Sequence, residues 1–249
     1  SLDILSGGRA ELGLGAGAFW DAIAAMGGAR LSPGQSVTAL EEAIDVIRAL
    51  WDTGQPRGAR IDGAHHHLSG AARGPAPLHD VSIWVGAYKP RMLDLVGRKA
   101  DGWLPSVPYL GEGALAAGNA AIDEAADRAG RRPSDIRRLL NLAGGVPPAD
   151  DLARLAVEDG IGTFIVMADD PAVIEAFAGE VAPAVRAQVA RARAGGGPAV
   201  SAPPAQAPPP RPGDGDLGVV PTPDDGVRLS AVAPWDESTR PHRPPPGPD

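Results

Sequence analysis

The chain lacks cysteine, which excludes disulfide bonds, thiolate zinc sites and a cysteine nucleophile. It also lacks an apolar run of about 18 residues, so we expect no membrane-spanning helix. Its N-terminus has no basic segment followed by an apolar core, and we therefore expect no signal peptide and a cytoplasmic protein.

Positive charge is scarce, because Lys89 and Lys99 are the only lysines and the formal net charge is −8. This balance argues against nucleic acid or an anionic membrane as the main partner. Apolar residues make up 43% of the 249 residues, which is enough for a real core in one large domain or two small ones.

Composition divides the chain near residue 195. Of the 27 prolines, 15 lie between Pro198 and Pro248. Such a sequence cannot bury enough apolar surface to offset its ordering entropy, so we predict a folded domain over 1–194 and a disordered Pro-rich tail or linker over 195–249. Within this tail, 224–241 contains Trp235, and a docking peptide or the approach to a further domain stays open as an alternative.

The first part alternates strands with helices. The predicted strands are one ending at 12–15, then 81–87, 101–106, 137–143 and 162–167. The predicted helices are 36–53, 90–99, 114–130, 149–159 and 171–193. We place a capping box at Thr38-x-x-Glu41 and a helix stop at Gly54. This order predicts an α/β fold with a parallel sheet and right-handed crossovers. Five strands suffice for a doubly wound sheet, whereas a closed eight-stranded barrel needs three more.

A glycine-rich turn follows the first strand, where Gly13-x-Gly15-x-x-Ala18 fits the dinucleotide fingerprint. That fingerprint requires a second strand with an acidic end within one βαβ unit, and the segment "SVTALEEAIDVI" stands there with a helical period. We therefore disfavour dinucleotide binding. The glycines either admit a ring or a phosphate or serve only a tight turn.

A second glycine site, Gly86-Ala87, ends a buried-type strand, and Lys89 and Arg91 begin the next helix. Free backbone N–H groups, the helix dipole and two cations together favour an anion site. The alternative is that both cations are solvated surface charges.

Several segments together resemble the luciferase-like monooxygenase family over about residues 1–180. The resemblance implies an incomplete (β/α)8 TIM barrel that lacks its first three strands. It also implies an oxidoreductase or monooxygenase that uses reduced flavin mononucleotide or the deazaflavin F420 on a small organic substrate. The segments that carry the resemblance are "LDILSGGRAELGLGAG", "ALEEAIDVIRALW", "IDGAHHHLSGAARGPAP", "IWVGAYKPRMLDLVGRKADGWLP" and "AADRAGRRPSDIRR".

The resemblance also implies site residues, although none with a catalytic role. The glycine turn near the cofactor ring corresponds to Gly13, Gly15, Ala16 and Gly17. The phosphate loop corresponds to Gly86, Ala87, Tyr88 and Lys89, with Arg91 beside it, and the family usually has smaller residues where Ala87 and Tyr88 stand. The "DGW" strand supplies Asp101 and Trp103, and Trp103 either lines the pocket or fills the barrel interior.

A second hypothesis is a catalytically incomplete fragment that acts as a binding or assembly module. Its two open sheet edges would need a partner chain, a second copy or the tail to cover them. On that hypothesis we expect the isolated chain to dimerise or aggregate.

Other constellations predict no chemistry. Consecutive residues His65–His67 point to opposite faces of an extended segment, so we expect no metal site there. We expect His79 to be a hydrogen-bonded loop residue rather than part of the active-site rim. We expect Asp169 or Asp170 to cap the last helix rather than to have a catalytic role. Ser6 has no base at motif spacing, which argues against a hydrolase triad.

Overall fold

The computed structural model describes residues 1–195. Except for Gly195, the predicted Pro-rich tail, including 224–241, lies outside the described residues. Within the described part, no helix combines the length and apolar character that crossing a membrane requires.

Helices and strands alternate along the described chain. The strands are β1 (Leu12–Leu14), β2 (Ala59–Asp62), β3 (His67–Ala71), β4 (Ile83–Val85), β5 (Gly102–Trp103), β6 (Arg137–Leu142) and β7 (Thr163–Val166). The helices are α1 (Leu2–Ser6), α2 (Trp20–Ala25), α3 (Pro33–Trp51), α4 (Pro90–Lys99), α5 (Ala114–Arg128), α6 (Ala149–Glu158), α7 (Pro171–Ala176) and α8 (Ala182–Ala194).

Five strands form one parallel sheet in the order β1-β4-β5-β6-β7, which curls into a half-barrel. The prediction of five parallel strands and an incomplete barrel is confirmed. β2 and β3 form a separate antiparallel hairpin between α3 and β4, which the sequence analysis did not predict.

The helices α3, α4, α5, α6 and α8 cover the convex side of this sheet. Ile83 and Val85 of β4 are fully buried in one cluster with residues of α3 and α4, and Leu140 and Leu142 of β6 pack with residues of α6 and α8. Because side chains alternate along a strand, the residues between them face the concave side. The ladder register places these residues on that side: Gly13, Trp84, Gly102, Leu139 and Asn141.

The start of α3 corrects one prediction. The Ser32 hydroxyl accepts from the Gln35 N–H at 3.4 Å, and the Gln35 side chain accepts from the Ser32 N–H at 2.9 Å. The capping box is therefore Ser32–Gln35, and Thr38–Glu41 was wrong because Thr38 lies inside the helix and bonds the Gly34 carbonyl. The helix ends at Trp51, before the predicted stop.

Other boundaries differ in instructive ways. α4 has the predicted bounds, and Asp170 caps α7 by accepting from the Ala172 N–H at 2.9 Å, as predicted. The predicted continuous helix 171–193 contains a π-helical turn at Phe177–Val181. Pro183 follows this turn and lacks an N–H, so it cannot continue a regular hydrogen-bond ladder.

Candidate functional site

The two glycine segments predicted from the sequence lie side by side. The Gly86 N–H donates to the Leu14 carbonyl at 3.1 Å, which joins the end of β4 to the end of β1. Parallel strands end at the same edge of the sheet, and ligands of α/β proteins bind at that carboxyl edge. The structure therefore brings the turn at 13–17 and the loop at 86–91 together where a ligand is expected.

There is open space in front of the first glycine turn. A Cβ added at Gly13 or at Gly15 would meet no atom within 4 Å, and both residues are exposed. Gly17 adopts φ +91°, which other residues rarely adopt, so the turn after β1 depends on glycine there. A flat ligand can approach this backbone without meeting a side chain of 13 or 15.

The amino end of α4 forms the other part of the site. Lys89 is the N-cap residue, Pro90 begins the helix, and no side chain caps it. Lys89 is exposed and makes no ion pair within residues 1–195. An uncapped helix start beside a cation attracts an anion. Arg91 is engaged differently, since its Nη2 donates to the Thr38 hydroxyl of α3 at 2.9 Å.

Tyr88 turns its side chain toward the segment after β5. Its hydroxyl accepts from the Ser106 N–H at 2.9 Å, and its ring meets the Tyr109 ring edge-on at a centroid distance of 5.7 Å. The bulk of Tyr88 is thus directed toward 106–109, and the backbone of the β4–α4 loop can still form a cradle.

Trp103 is 1% exposed and lies in the packed layer between the sheet and α5. Its Nε1 donates to the Ala87 carbonyl at 2.9 Å, and a Cβ at Gly118 of α5 would collide with its ring. Trp103 therefore lies on the helix side of the sheet and not in the barrel interior. Through its hydrogen bond to the Ala87 carbonyl, Trp103 supports the β4–α4 loop from the convex side of the sheet.

Asp101 lies at the amino ends of the strands, opposite the carboxyl edge. Its carboxylate accepts from the Ile83 N–H at 2.8 Å, where β4 begins, and from Arg48 at 2.8 and 2.9 Å. The structure therefore does not bring Asp101 together with the glycine turns, although the sequence places it two residues before Trp103.

Sequence reasoning missed four residues at the carboxyl edge, namely Ser106, Asn141, Gly144 and Gly145. Asn141 of β6 donates from Nδ2 to the Ser106 hydroxyl at 3.1 Å. Gly144 and Gly145 follow β6 with φ +92° and +131°. The signal for Asn141 was present in "RRLLNLA", where a polar residue interrupts an apolar strand at a concave position.

His65 and His66 lie in the loop of the β2–β3 hairpin, and His67 begins β3. The Glu42 carboxylate of α3 accepts the backbone N–H groups of Ala64, His65 and His66 at 2.8–2.9 Å. Burial alone would raise the pKa of Glu42, but these hydrogen bonds outweigh it and lower the pKa. Residues 1–195 contain no cluster of three His, Cys, Asp or Glu side chains placed to hold a metal ion.

His79 lies near the start of β4, between two carboxylates. Its Nδ1 is 2.9 Å from Asp3 Oδ1, and its Nε2 is 3.7 Å from Glu11 Oε2. Neither ring nitrogen meets hydrogen-bond geometry within the described residues, so the predicted hydrogen bond is not formed by the imidazole there. This group ties α1 to the amino edge of the sheet, far from the glycine turns.

A groove of about 420 Å³ runs along α8, on the convex side of β7. Phe164, Phe177 and Val185 contribute apolar surface, and Arg186 and Arg193 also line it. None of its lining residues belongs to the glycine turns, so this groove is separate from the candidate site.

The comparisons with known proteins agree with this architecture. The family model described as luciferase-like monooxygenase matches residues 1–146. A solved structure titled an F420-dependent secondary alcohol dehydrogenase in complex with an F420-acetone adduct superposes with a TM-score of 0.62 at 19% identity, covering 74% of this chain and 72% of that chain. At that identity the superposition shows the fold alone.

Two curated relatives are similar in sequence. A phthiodiolone/phenolphthiodiolone dimycocerosates ketoreductase of Mycobacterium kansasii is 36% identical over 136 residues, covering 52% of this chain and 34% of the relative. An F420-dependent glucose-6-phosphate dehydrogenase of Kribbella flavida is 28% identical over 142 residues, covering 57% of this chain and 42% of the relative. The chain thus spans less than half the length of these two relatives.

Proposed function

Because this chain belongs to the luciferase-like monooxygenase family, we propose that it is an oxidoreductase that uses F420 or reduced flavin mononucleotide on a small organic substrate. The observation that carries the proposal is the junction of two glycine segments with an uncapped helix start at the carboxyl edge of β1 and β4. This junction combines exposed glycine backbone with a helix start that favours an anion.

The described residues fit such a cofactor. The exposed backbone at Gly13 and Gly15 suits the close approach of a flat ring, because an added Cβ there would meet no atom within 4 Å. The backbone of Ala87–Lys89 and the exposed Lys89 suit a phosphate, because N–H groups at a helix start favour negative charge.

The roles of the proposed site residues follow from their positions. Gly13, Gly15, Ala16 and Gly17 would lie beside the ring, and Gly86, Ala87, Tyr88 and Lys89 would hold the phosphate. Arg91 adds positive charge while it joins α4 to α3, Trp103 supports the loop from the convex side, and Asp101 fixes the far end of β5. When bound, the cofactor supplies the redox chemistry, hydride transfer for F420 or monooxygenation with flavin and oxygen.

We place F420 before flavin mononucleotide. The names of the Kribbella flavida relative and of the superposed alcohol dehydrogenase both state F420 dependence. The description of the family as monooxygenases keeps flavin as the alternative. The proposed ring and phosphate positions are the same for either coenzyme. A titration with each coenzyme decides between F420 and flavin mononucleotide.

The test is a titration of the full chain with F420 and with flavin mononucleotide, followed by fluorescence. We expect a micromolar dissociation constant for one of them, which Lys89→Ala raises about tenfold because it removes an exposed cation from the helix start. The matched control is Arg60→Ala, which removes an exposed cation from the hairpin. No binding of either coenzyme, or equal losses in both variants, would overturn the proposal.

We also propose that a second copy of the chain covers the open sheet edges. Within residues 1–195, β1 pairs only with β4 and β7 only with β6, so each leaves one side of its backbone unpaired. Unpaired strand edges promote association. Sizing chromatography should show a dimer or larger species, and a sharp monomer peak with cooperative unfolding would contradict this second proposal.

A further inference from the structure

The β4–α4 loop is fastened to the neighbouring β5 segment at two successive residues. Ala87 is buried, and its carbonyl accepts from Trp103 Nε1 at 2.9 Å. Tyr88 follows at the surface, and its hydroxyl accepts from the Ser106 N–H at 2.9 Å. The first contact acts from the convex core and the second from the carboxyl edge, so the loop is held from two directions.

The second contact continues to the next strand. Asn141 of β6 donates from Nδ2 to the Ser106 hydroxyl at 3.1 Å and from its backbone to the Pro105 carbonyl at 2.9 Å. Tyr88, Ser106 and Asn141 thus form a chain of polar contacts across the ends of β4, β5 and β6. We call these three residues the edge relay.

The ring of Tyr88 is also fixed. It packs edge-on against Tyr109, with an angle of 66° between the ring planes, and Tyr109 belongs to the short helical turn at Val107–Tyr109. An aromatic ring with two anchors loses most of its rotamer freedom before any ligand arrives. The Tyr88 side chain therefore attaches the β4–α4 loop to the segment at 106–109.

From this arrangement we infer that Tyr88 is a positioning residue, whose hydroxyl locks the β4–α4 loop so that its backbone N–H groups stay aimed at an anion. The inference rests on the proposed function of this loop as the phosphate site. Backbone donors bind an oxyanion well only when their orientation is set beforehand, because ordering them on binding lowers affinity. The edge relay supplies that orientation through the Ser106 N–H.

The test compares Tyr88→Phe with Tyr109→Phe. Both variants keep the aromatic pair and remove one hydroxyl. Only the Tyr88 hydroxyl accepts a hydrogen bond within the described residues, whereas Tyr109 is 69% exposed. Amide hydrogen exchange at Ser106 should quicken about fivefold to tenfold in Tyr88→Phe and stay unchanged in Tyr109→Phe.

The second readout is the ligand affinity of the folded chain. Tyr88→Phe should raise the dissociation constant of the coenzyme about fivefold to tenfold, while the urea midpoint falls by no more than the equivalent of the roughly 1 kcal/mol that one hydrogen bond contributes. Ser106→Ala keeps the backbone donor and removes only the contact with Asn141, so exchange at position 106 should stay slow. A residue with a merely structural role would shift the midpoint and leave the affinity of the folded chain unchanged.

The outcomes separate this inference from the proposed function. Unchanged exchange at Ser106 in Tyr88→Phe would overturn the lock, and faster exchange with unchanged affinity would overturn the positioning role. If the unsubstituted chain binds neither coenzyme, the proposed function fails, and inorganic phosphate then serves as the probe. Weaker phosphate binding in Tyr88→Phe would support the inference, and equal or absent phosphate binding would refute it.

Discussion

Replacing Trp103 by phenylalanine should destabilise the chain through one identifiable hydrogen bond. Trp103 is 1% exposed, and its Nε1 is the one donor to the Ala87 carbonyl within the described residues. The smaller ring leaves a void that costs roughly 1–2 kcal/mol. Leaving the buried carbonyl without a donor adds about 1–3 kcal/mol, so the free energy of unfolding should fall by about 2–5 kcal/mol.

Trp84 provides the matched control, because it lies on the neighbouring strand and makes no such bond. Its Nε1 is buried and has no hydrogen-bond partner within residues 1–195. Trp84→Phe therefore removes an unsatisfied donor together with part of a ring. Only the packing cost of about 1–2 kcal/mol remains, reduced by the loss of that donor.

The assay is urea unfolding of both variants, followed by far-UV circular dichroism. The slopes with urea should agree, so that the midpoints report stability. Trp103→Phe should be less stable than Trp84→Phe by about 1–3 kcal/mol. Equal midpoints, or a lower midpoint for Trp84→Phe, would refute the argument that the Ala87 carbonyl depends on Trp103.

Two further predictions concern the helical layer. Gly97→Ala should lower the urea midpoint by the equivalent of about 1–3 kcal/mol, because the added Cβ would lie 2.5 Å from the Ala125 Cβ. The same change at Gly179, where an added Cβ would meet no atom within 4 Å, should leave the midpoint unchanged or raise it. The hydrogen bond from Arg98 holds the pKa of Glu41 below 4.5 against the opposing effect of burial. The ionised Glu41 carboxylate therefore stabilises the folded chain fully above pH 4.5, and this contribution is lost as the pH falls through the lowered pKa of Glu41. Unfolding free energies measured from about pH 2 to pH 7 should therefore fall less steeply on the acid side in Glu41→Gln, and parallel curves would contradict this.

Local signals predicted the elements whose ends depend on nearby residues. α4 begins at Pro90 as predicted because proline suits the first helical turn, and its apolar positions recur with the helical period. Asp170 likewise caps α7, since a carboxylate two residues away can reach the free N–H of Ala172. These decisions involve atoms within one turn of the chain, so the sequence contains them.

Sequence patterns that occur at more than one position did not predict which position forms the contact, and the reason is physical. Ser32–Gln35 and Thr38–Glu41 both have capping-box chemistry, but Glu41 pairs instead with Arg98 of α4 at 2.7 Å. A local pattern cannot indicate which carboxylate or amide will have a distant partner. For the same reason the "DGW" segment suggested that Asp101 and Trp103 share one site. In the structure Asp101 accepts a hydrogen bond from Arg48, whereas Trp103 donates one to the Ala87 carbonyl.

The sequence by itself determined the β/α alternation, the five parallel strands and the two glycine segments. These features follow from periodicity and from the backbone freedom of glycine, which are properties of short stretches. Only the tertiary structure decided that Gly86 bonds Leu14 and that Tyr88 turns toward Ser106. Those contacts join residues 18 or more positions apart, and curvature and register place them together.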